Sequence, residues 1–145
     1  MPISMTPYRV FDSYRSITPA FFMRHGIRLL LCDLDYTLAP KSVSRPDQAV
    51  RDWLGRLQAA GIRVMILSNN RSPRRVEQFC RDLGITYVGH AKKPQTAGFR
   101  RAMDQAGTDP AHTAMLGDKL LTDMLGANLS GVTALMVEPA GGART

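Results

Sequence analysis

Acidic, basic and hydroxyl side chains follow the ends of four short apolar runs in this 145-residue chain. Asp33 and Asp35 follow the first run, Ser68 follows the second, Lys93 the third and Asp118 the fourth. A carboxylate that attacks a phosphate dianion meets a repulsion that only nearby cations can overcome. Mg2+ takes oxygen ligands and commonly includes substrate phosphate oxygens among them. This combination of residue types therefore indicates Mg2+-assisted phosphoryl transfer.

Each of these residues has a role that its chemistry suits. Asp33 and Asp118, on neighbouring strands, can hold one Mg2+ between them, and Lys93 can neutralise the charge that remains on the phosphate. Ser68 can donate a hydrogen bond to a phosphoryl oxygen. Asp35, two residues after Asp33, can act as a general acid and then as a general base. Catalysis of this kind consists mostly of positioning and charge stabilisation.

The elements that must position these residues are visible as an alternation of apolar runs and amphipathic segments. The apolar runs cover residues 27–32, 62–67, 85–88, 113–116 and 133–137. Short continuous runs of this kind are typical of strands buried on both faces of a parallel sheet. The order predicts an α/β fold, in which a Rossmann-like parallel sheet lies between two layers of helices with right-handed crossovers. Ligands bind beyond the carboxyl ends of such strands, where the polar residues lie.

Helix signals separate the apolar runs, and the whole of residues 1–145 is predicted to form one domain. Ser72 and Pro73 have the pattern of an N-cap and first turn. The last helix is predicted from about Leu120 to Ser130, with Leu121, Met124, Leu125 and Leu129 facing inward. Residues 1–25 do not follow the alternation and are predicted to be a helical or irregular flank, and residues 139–145 a mobile tail.

Composition restricts the class of protein. The hydrophobic content of 44% is typical of a globular core, and no apolar run approaches the roughly 18 residues that a bilayer span requires. The N-terminus has no secretory signal pattern, so we expect a cytoplasmic protein in which Cys32 and Cys80 are small buried hydrophobes. The net charge of +7 attracts nucleic acid, anionic lipid or an anionic substrate, or serves solubility alone.

The polar strand ends also resemble the four motifs of the haloacid dehalogenase (HAD) superfamily. Residues 33–37 are similar to its first motif, Asp-x-Asp-x-Thr, and Ser68, Lys93 before Pro94, and the stretch 117–123 resemble the other three in order. A finer resemblance, over nearly the whole chain, is to the YqeG-like phosphatases of subclass IIIA, which are related to phosphatidylglycerophosphate phosphatases. Tyr36 is a departure, because asparagine is expected at that position.

The resemblance implies more specific roles for the residues that match the motifs. Asp33 is then the nucleophile and a Mg2+ ligand, and it forms an aspartyl phosphate. Asp35 is the acid and base and offers its backbone carbonyl to the metal, while Thr37 steadies the motif loop. Asp118 ligates Mg2+, and Asp123 supports that metal or the lysine.

The resemblance also assigns phosphoryl binding, with two alternatives left open. Ser68 and Lys93 bind the phosphoryl group, although Lys92 replaces Lys93 if the register differs by one. Asn69 is assigned to phosphate binding as well, with a structural role in its loop as the alternative.

The spacing between motifs leaves no room for a cap domain over the site. Residues 38–45 are too few, and residues 70–92 are filled by one helix and one strand, so we expect an open site or one covered by another subunit of a homo-oligomer. An open site suits a bulky phosphorylated substrate such as a phospholipid, a nucleic acid or a phosphoprotein. The resemblance points first to phosphatidylglycerophosphate.

Three alternatives stay open, which are lipid contact at the N-terminal flank, a binding module in place of an enzyme, and phosphoryl transfer to an acceptor other than water. Residues 19–25 carry apolar and basic groups that suit peripheral membrane contact, or they form a helix packed on the sheet. The basic charge also suits an RNA- or ribosome-associated binding module with little or no catalysis.

Overall fold

Six parallel strands form one sheet in residues 3–70 and 74–139, the part of the chain that the computed structural model describes. In chain order they are β1 (Arg9–Phe11), β2 (Leu29–Cys32), β3 (Arg63–Leu67), β4 (Thr86–Val88), β5 (Thr113–Gly117) and β6 (Thr133–Val137). Their order across the sheet is β1-β6-β5-β2-β3-β4. The direction of winding reverses at β2, and such a reversal leaves a crevice at the carboxyl ends of the central strands.

Five helices cover the two faces of this sheet. They are α1 (Pro19–Arg24), α2 (Gln48–Ala59), α3 (Arg74–Leu83), α4 (Ala97–Ala106) and α5 (Leu125–Ser130). Asp47 caps α2 by accepting a hydrogen bond from the backbone N–H of Val50 at 2.9 Å. The cap predicted at Ser72 and Pro73 lies outside the described residues.

Alternate residues of the buried strands supply two separate cores. Leu30 and Cys32 of β2 belong to one core, with side chains of α1, α2 and α3. Leu29 and Leu31 belong to the other, with side chains of α4 and α5. The period of two along β2 therefore separates two layers of helices, and the predicted three-layer Rossmann-like fold is confirmed.

The N-terminal flank is more regular than predicted. Its strand β1 pairs with β6 at the edge of the sheet, and its helix α1 buries Phe22 completely. The Trp53 indole of α2 donates a hydrogen bond to the carbonyl of Ile17 at 2.8 Å. A three-residue strand is too short to show a period of two, which explains why the sequence did not reveal β1. Of the two alternatives for residues 19–25, the structure shows the helix packed on the sheet.

The predicted inward positions of the last helix need correction. Residues Leu120–Met124 form a π-helical turn before α5, in which the N–H of Met124 donates to the carbonyl of Lys119 at 3.1 Å. Such a turn contains one residue more than an α-helical turn, so the positions before and after it no longer follow one regular helix face. Met124 is buried as predicted, but Leu121 is 66% exposed and Leu129 is 47% exposed. Within the described residues, no helix has the length and hydropathy to span a bilayer.

Candidate active site

The loop after β2 begins as an extension of the sheet and then turns sharply. The N–H of Asp33 donates to the carbonyl of Leu116 in β5 at 3.0 Å, so Asp33 still follows the line of the strand. The backbone N–H of Thr37 donates to the carbonyl of Leu34 at 3.2 Å, which closes a tight turn around Asp35 and Tyr36. Tyr36 has φ of 64°, in the left-handed region, where asparagine is better tolerated than most residues. The expectation of asparagine at this position therefore has a backbone cause.

Lys93 is buried at the centre of the polar group beyond the strand ends. Its ammonium donates to the carbonyl of Leu67 at 2.8 Å and to Oδ1 of Asp123 at 2.7 Å, and it lies 3.3 Å from Oδ1 of Asp33. Burial by itself would lower the pKa of Lys93, but the carboxylates of Asp33 and Asp123 outweigh burial and raise it. Lys93 therefore stays protonated at neutral pH, whereas its neighbour Lys92 is exposed.

Asp123 reaches this group from the π-helical turn. Its Oδ2 accepts a hydrogen bond from the N–H of Lys119 at 3.3 Å, while Oδ1 accepts from Lys93. Burial raises the pKa of Asp123 to about 6, against the opposing effect of Lys93. The carboxylate packs onto Gly117, where a Cβ would lie 2.2 Å from Oδ2 of Asp123. A glycine before Asp118 is therefore required by the close approach of Asp123.

Three buried carboxylates from β2, β5 and the π-helical turn converge at this point. Asp33, Asp118 and Asp123 each offer an oxygen, and these atoms lie within 4.8 Å of one another. Oxygens bound to one Mg2+ at about 2.1 Å lie about 3 to 4 Å apart, so small side-chain rotations would suffice. Within the described residues, Lys93 is the one buried cation against three buried carboxylates. The spacing of the three carboxylate oxygens therefore fits a divalent metal ion.

Ser68 and Asn69 follow β3 and shape the loop that carries Lys93. The hydroxyl of Ser68 accepts a hydrogen bond from the N–H of Asn70 at 3.0 Å. The side chain of Asn69 accepts from the N–H of Lys93 at 2.7 Å and donates to the carbonyl of Lys93 at 3.0 Å. Both polar groups of Asn69 are thus used to hold the lysine loop, which fits the structural alternative for this residue.

Asp35 is not one of the three converging carboxylates, and Arg75 of α3 binds it. The guanidinium pairs with Oδ1 of Asp35, and it also donates to the carbonyl of Pro40 at 3.1 Å and to that of Val43 at 2.6 Å. Arg75 therefore holds the carboxylate of Asp35 and the loop of residues 40–43 at once. Sequence reasoning missed Arg75, since no motif contains it and its partners are 32 to 40 residues away.

Part of this group lines an open cavity of about 340 Å3. Its walls include Asp33, Asp35, Ser68, Asn69 and Lys93 from the predicted set. Sequence reasoning also missed four further lining residues, which are Lys41, Asn70, Lys119 and Thr122. The volume is at the lower end of the roughly 300–1,000 Å3 that small-molecule sites occupy, so the cavity accommodates more than a phosphoryl group.

Known proteins are similar to this chain in sequence and in fold. Residues 23–131 match the family model of the haloacid dehalogenase-like hydrolases. The Bacillus subtilis protein named "Probable phosphatase YqeG" is 35% identical over 125 residues, which are 85% of this chain and 71% of the relative.

Solved structures extend the likeness at the level of the fold. The cobalt-bound deoxy-D-mannose-octulosonate 8-phosphate phosphatase of Haemophilus influenzae superposes with a TM-score of 0.60 at 24% identity, over 81% of each chain. The 3-deoxy-D-manno-octulosonate 8-phosphate phosphatase of Yersinia pestis has a TM-score of 0.60 at 19% identity, over 83% of this chain and 77% of its own.

Proposed function

Since this chain belongs to the haloacid dehalogenase-like hydrolase family and is a phosphatase, we propose that it hydrolyses phosphomonoesters with Mg2+ through an aspartyl phosphate on Asp33. The observation that carries the proposal is the position of Asp33. Its carboxylate lies at the floor of an open cavity, 3.3 Å from the ammonium of Lys93, and belongs to a cluster of three acidic groups.

The first half-reaction transfers the phosphoryl group to the protein. An oxygen of Asp33 attacks phosphorus, the bond between phosphorus and the ester oxygen breaks, and Asp35 gives its proton to that oxygen. Lys93 and the hydroxyl of Ser68 hold the phosphoryl oxygens during the transfer. Asn69 keeps the Lys93 backbone in place through its two hydrogen bonds.

The second half-reaction releases inorganic phosphate. Asp35 takes a proton from a water molecule, the water oxygen attacks phosphorus, and the carboxylate of Asp33 leaves. Asp33, Asp118 and the backbone carbonyl of Asp35 would hold the Mg2+, and Asp123 orients Lys93. The metal ion, when bound, reduces the repulsion between the phosphate and Asp33.

The substrate that we propose first is phosphatidylglycerophosphate, because the site is open and the chain resembles YqeG-like phosphatases, which are related to phosphatases of that lipid. The membrane-contact interpretation receives less support, because Phe21 and Phe22 of α1 are buried, although Met23 beside them is 61% exposed. A cytoplasmic location and a homo-oligomer stay predictions. The RNA-binding alternative rests on net charge alone.

The test is hydrolysis of p-nitrophenyl phosphate with and without Mg2+. We expect release of phosphate that requires the metal ion and falls by at least about a thousandfold in Asp33→Asn. With a 32P-labelled substrate, acid-quenched Asp35→Asn should retain label that hydroxylamine removes, because the second half-reaction lacks its base. Equal activity in wild type and Asp33→Asn would refute the proposal, and tight RNA binding by an inactive protein would favour the alternative.

Lipid specificity is measured separately, with phosphatidylglycerophosphate in liposomes. Phosphate release from these vesicles that depends on Asp33 supports the lipid substrate. Activity on p-nitrophenyl phosphate without release from the vesicles at high enzyme concentration would remove the lipid and leave the phosphatase chemistry intact.

A further inference from the structure

Lys41 and Lys119 are not among the ionic partners of the buried acidic groups. Asp33 and Asp123 pair with Lys93, and together with Asp118 they form the cluster whose spacing fits a divalent ion. Asp35, on the wall, is paired with Arg75. Lys41 and Lys119 line the same cavity, and neither forms an ion pair with any acidic side chain in the described ranges 3–70 and 74–139.

The two lysines occupy the outer part of the cavity. Asp33 and Lys93 are buried at its floor, whereas Lys119 is half-buried and Lys41 is exposed. A group bound by Asp33 and Lys93 is thus deeper than a group bound by the two lysines. The cavity of about 340 Å3 leaves room for both groups to belong to one molecule.

Both lysines are attached to backbone that the site itself holds. The N–H of Lys119 donates to Asp123, and its carbonyl accepts from the N–H groups of Asp123 and Met124, each at 3.1 Å. Lys41 follows Pro40, whose carbonyl accepts from Arg75 at 3.1 Å and from the N–H of Val43 at 3.0 Å. Fixed backbone at both positions limits the space that each ammonium can sample. Both lysines therefore keep their positive charge beside the cavity.

We propose that Lys41 and Lys119 form a subsite for a second anionic group, a phosphate or a carboxylate, carried by the same substrate molecule as the phosphomonoester. The inference rests on the proposed function, because it assumes that the reacting phosphoryl group binds at Asp33. Unpaired lysine ammonium groups at the edge of a cavity attract anions and bind phosphate or carboxylate as point charges. The preferred substrates are therefore bisphosphates and phosphorylated acids.

The test compares pairs of phosphomonoesters in which one member carries a second anion. Glycerol 3-phosphate and 3-phosphoglycerate share a three-carbon phosphomonoester, and the second carries a carboxylate where the first carries a hydroxymethyl group. Phosphatidic acid and phosphatidylglycerophosphate in the same detergent micelles form a lipid pair, of which only the latter has a second phosphate. At a fixed free Mg2+ concentration, we expect kcat/KM to be about tenfold higher or more for the doubly anionic member of at least one pair.

Lysine variants show whether the preference comes from this subsite. Lys41→Gln and Lys119→Gln should each reduce the ratio of the two kcat/KM values about three- to tenfold, and the double variant should bring it close to one. Arg101→Gln is the matched control, since it removes one positive charge from an exposed position on α4. The ratio should also fall with added NaCl in the wild type and change little in the double variant.

Each outcome decides a separate question. Equal losses for both members of a pair in the lysine variants would overturn the inference, because the lysines would then serve the reacting phosphoryl group. Absence of any preference in a wild type that hydrolyses p-nitrophenyl phosphate through Asp33 would also overturn it, and the proposed function would stand. If only 3-phosphoglycerate is preferred over glycerol 3-phosphate, the substrate is identified as a free metabolite. If only phosphatidylglycerophosphate is preferred over phosphatidic acid, it is identified as a lipid head group.

Discussion

The ammonium of Lys93 contacts acceptors from three different parts of the chain. It donates hydrogen bonds to Leu67 at the end of β3 and to Asp123 in the π-helical turn, and it forms an ion pair with Asp33 after β2. A buried ammonium held from three sides has little freedom to move, which keeps it close to Asp33. At the residue scale, the charged side chains of the site therefore hold one another in position.

Gly117 is the residue whose missing side chain allows this arrangement. We expect Gly117→Ala to displace the carboxylate of Asp123, because a Cβ would lie 2.2 Å from its Oδ2. Lys93 would then lose its shortest ion pair, and kcat/KM should fall about tenfold to a hundredfold, with a loss of about 1–3 kcal/mol in the free energy of unfolding. Steady-state kinetics and urea denaturation measure the two effects.

Gly55→Ala is the matched control for that substitution. Gly55 lies within α2, and a Cβ there would meet no atom within 4 Å. Alanine should therefore raise the free energy of unfolding by about 0.5–1 kcal/mol through helix propensity, with kinetics unchanged. If Gly117→Ala behaves like Gly55→Ala in both measurements, the packing of Asp123 on Gly117 does not position the site.

Several polar members of the site follow apolar runs, and this is why the sequence predicts them. Asp33, Ser68 and Asp118 stand immediately after strands, and parallel strands bring such positions to one edge. Arg75, Lys41 and Lys119 carry no such signal. Their place depends on how α3 and two loops pack against the strand ends, and one-dimensional patterns do not encode that packing.

Helix α3 connects two segments of the site through Arg75. Its guanidinium binds Asp35 and the carbonyls of Pro40 and Val43, so α3 positions the acid and the loop next to Lys41 together. We expect Arg75→Lys to lower kcat/KM about tenfold to a hundredfold, because an ammonium cannot reproduce the planar set of donors. Steady-state kinetics measure the loss, and a circular dichroism melt tests whether the fold is kept.

Arg74→Lys provides the comparison for Arg75→Lys on the same helix. Arg74 is exposed, and no hydrogen bond or ion pair joins its side chain to the described residues. Its conservative replacement should leave kinetics and melting temperature unchanged within error. Unchanged kcat/KM in Arg75→Lys would show that Arg75 is structural only.

The sequence predicted those strands and helices whose apolar pattern is complete within the element itself. The five apolar runs became β2 to β6, and the period of two along β2 separates the two cores. The π-helical turn was not predicted, because the shift that turns Leu121 outward arises where Asp123 must reach Lys93. The contact of Asp123 with Lys93 thus coincides with the change from α-helical to π-helical geometry. A regular helical pattern in the sequence does not predict that change.

On the scale of the whole molecule, the described part of the site brings oxygens of three buried carboxylates within 4.8 Å of one another, and their mutual repulsion opposes folding. A ligand that binds only the native state stabilises it by RT ln(1 + [L]/Kd), which is about 2.7 kcal/mol at a hundredfold excess over Kd. We therefore expect Mg2+ to raise the melting temperature by about 5–10 °C, and EDTA to reverse the rise. Differential scanning calorimetry on the full chain measures both.

Asp118→Asn separates the metal effect from a general effect of salt. The amide keeps the shape of the side chain and removes one of the three clustered charges. The metal-free variant should be at least as stable as the metal-free wild type, because repulsion among the carboxylates is reduced, and the rise with Mg2+ should be largely lost. Asp104→Asn, at an exposed position of α4, should retain the full rise. If Asp118→Asn and Asp104→Asn respond equally to Mg2+, the ion does not bind at this cluster.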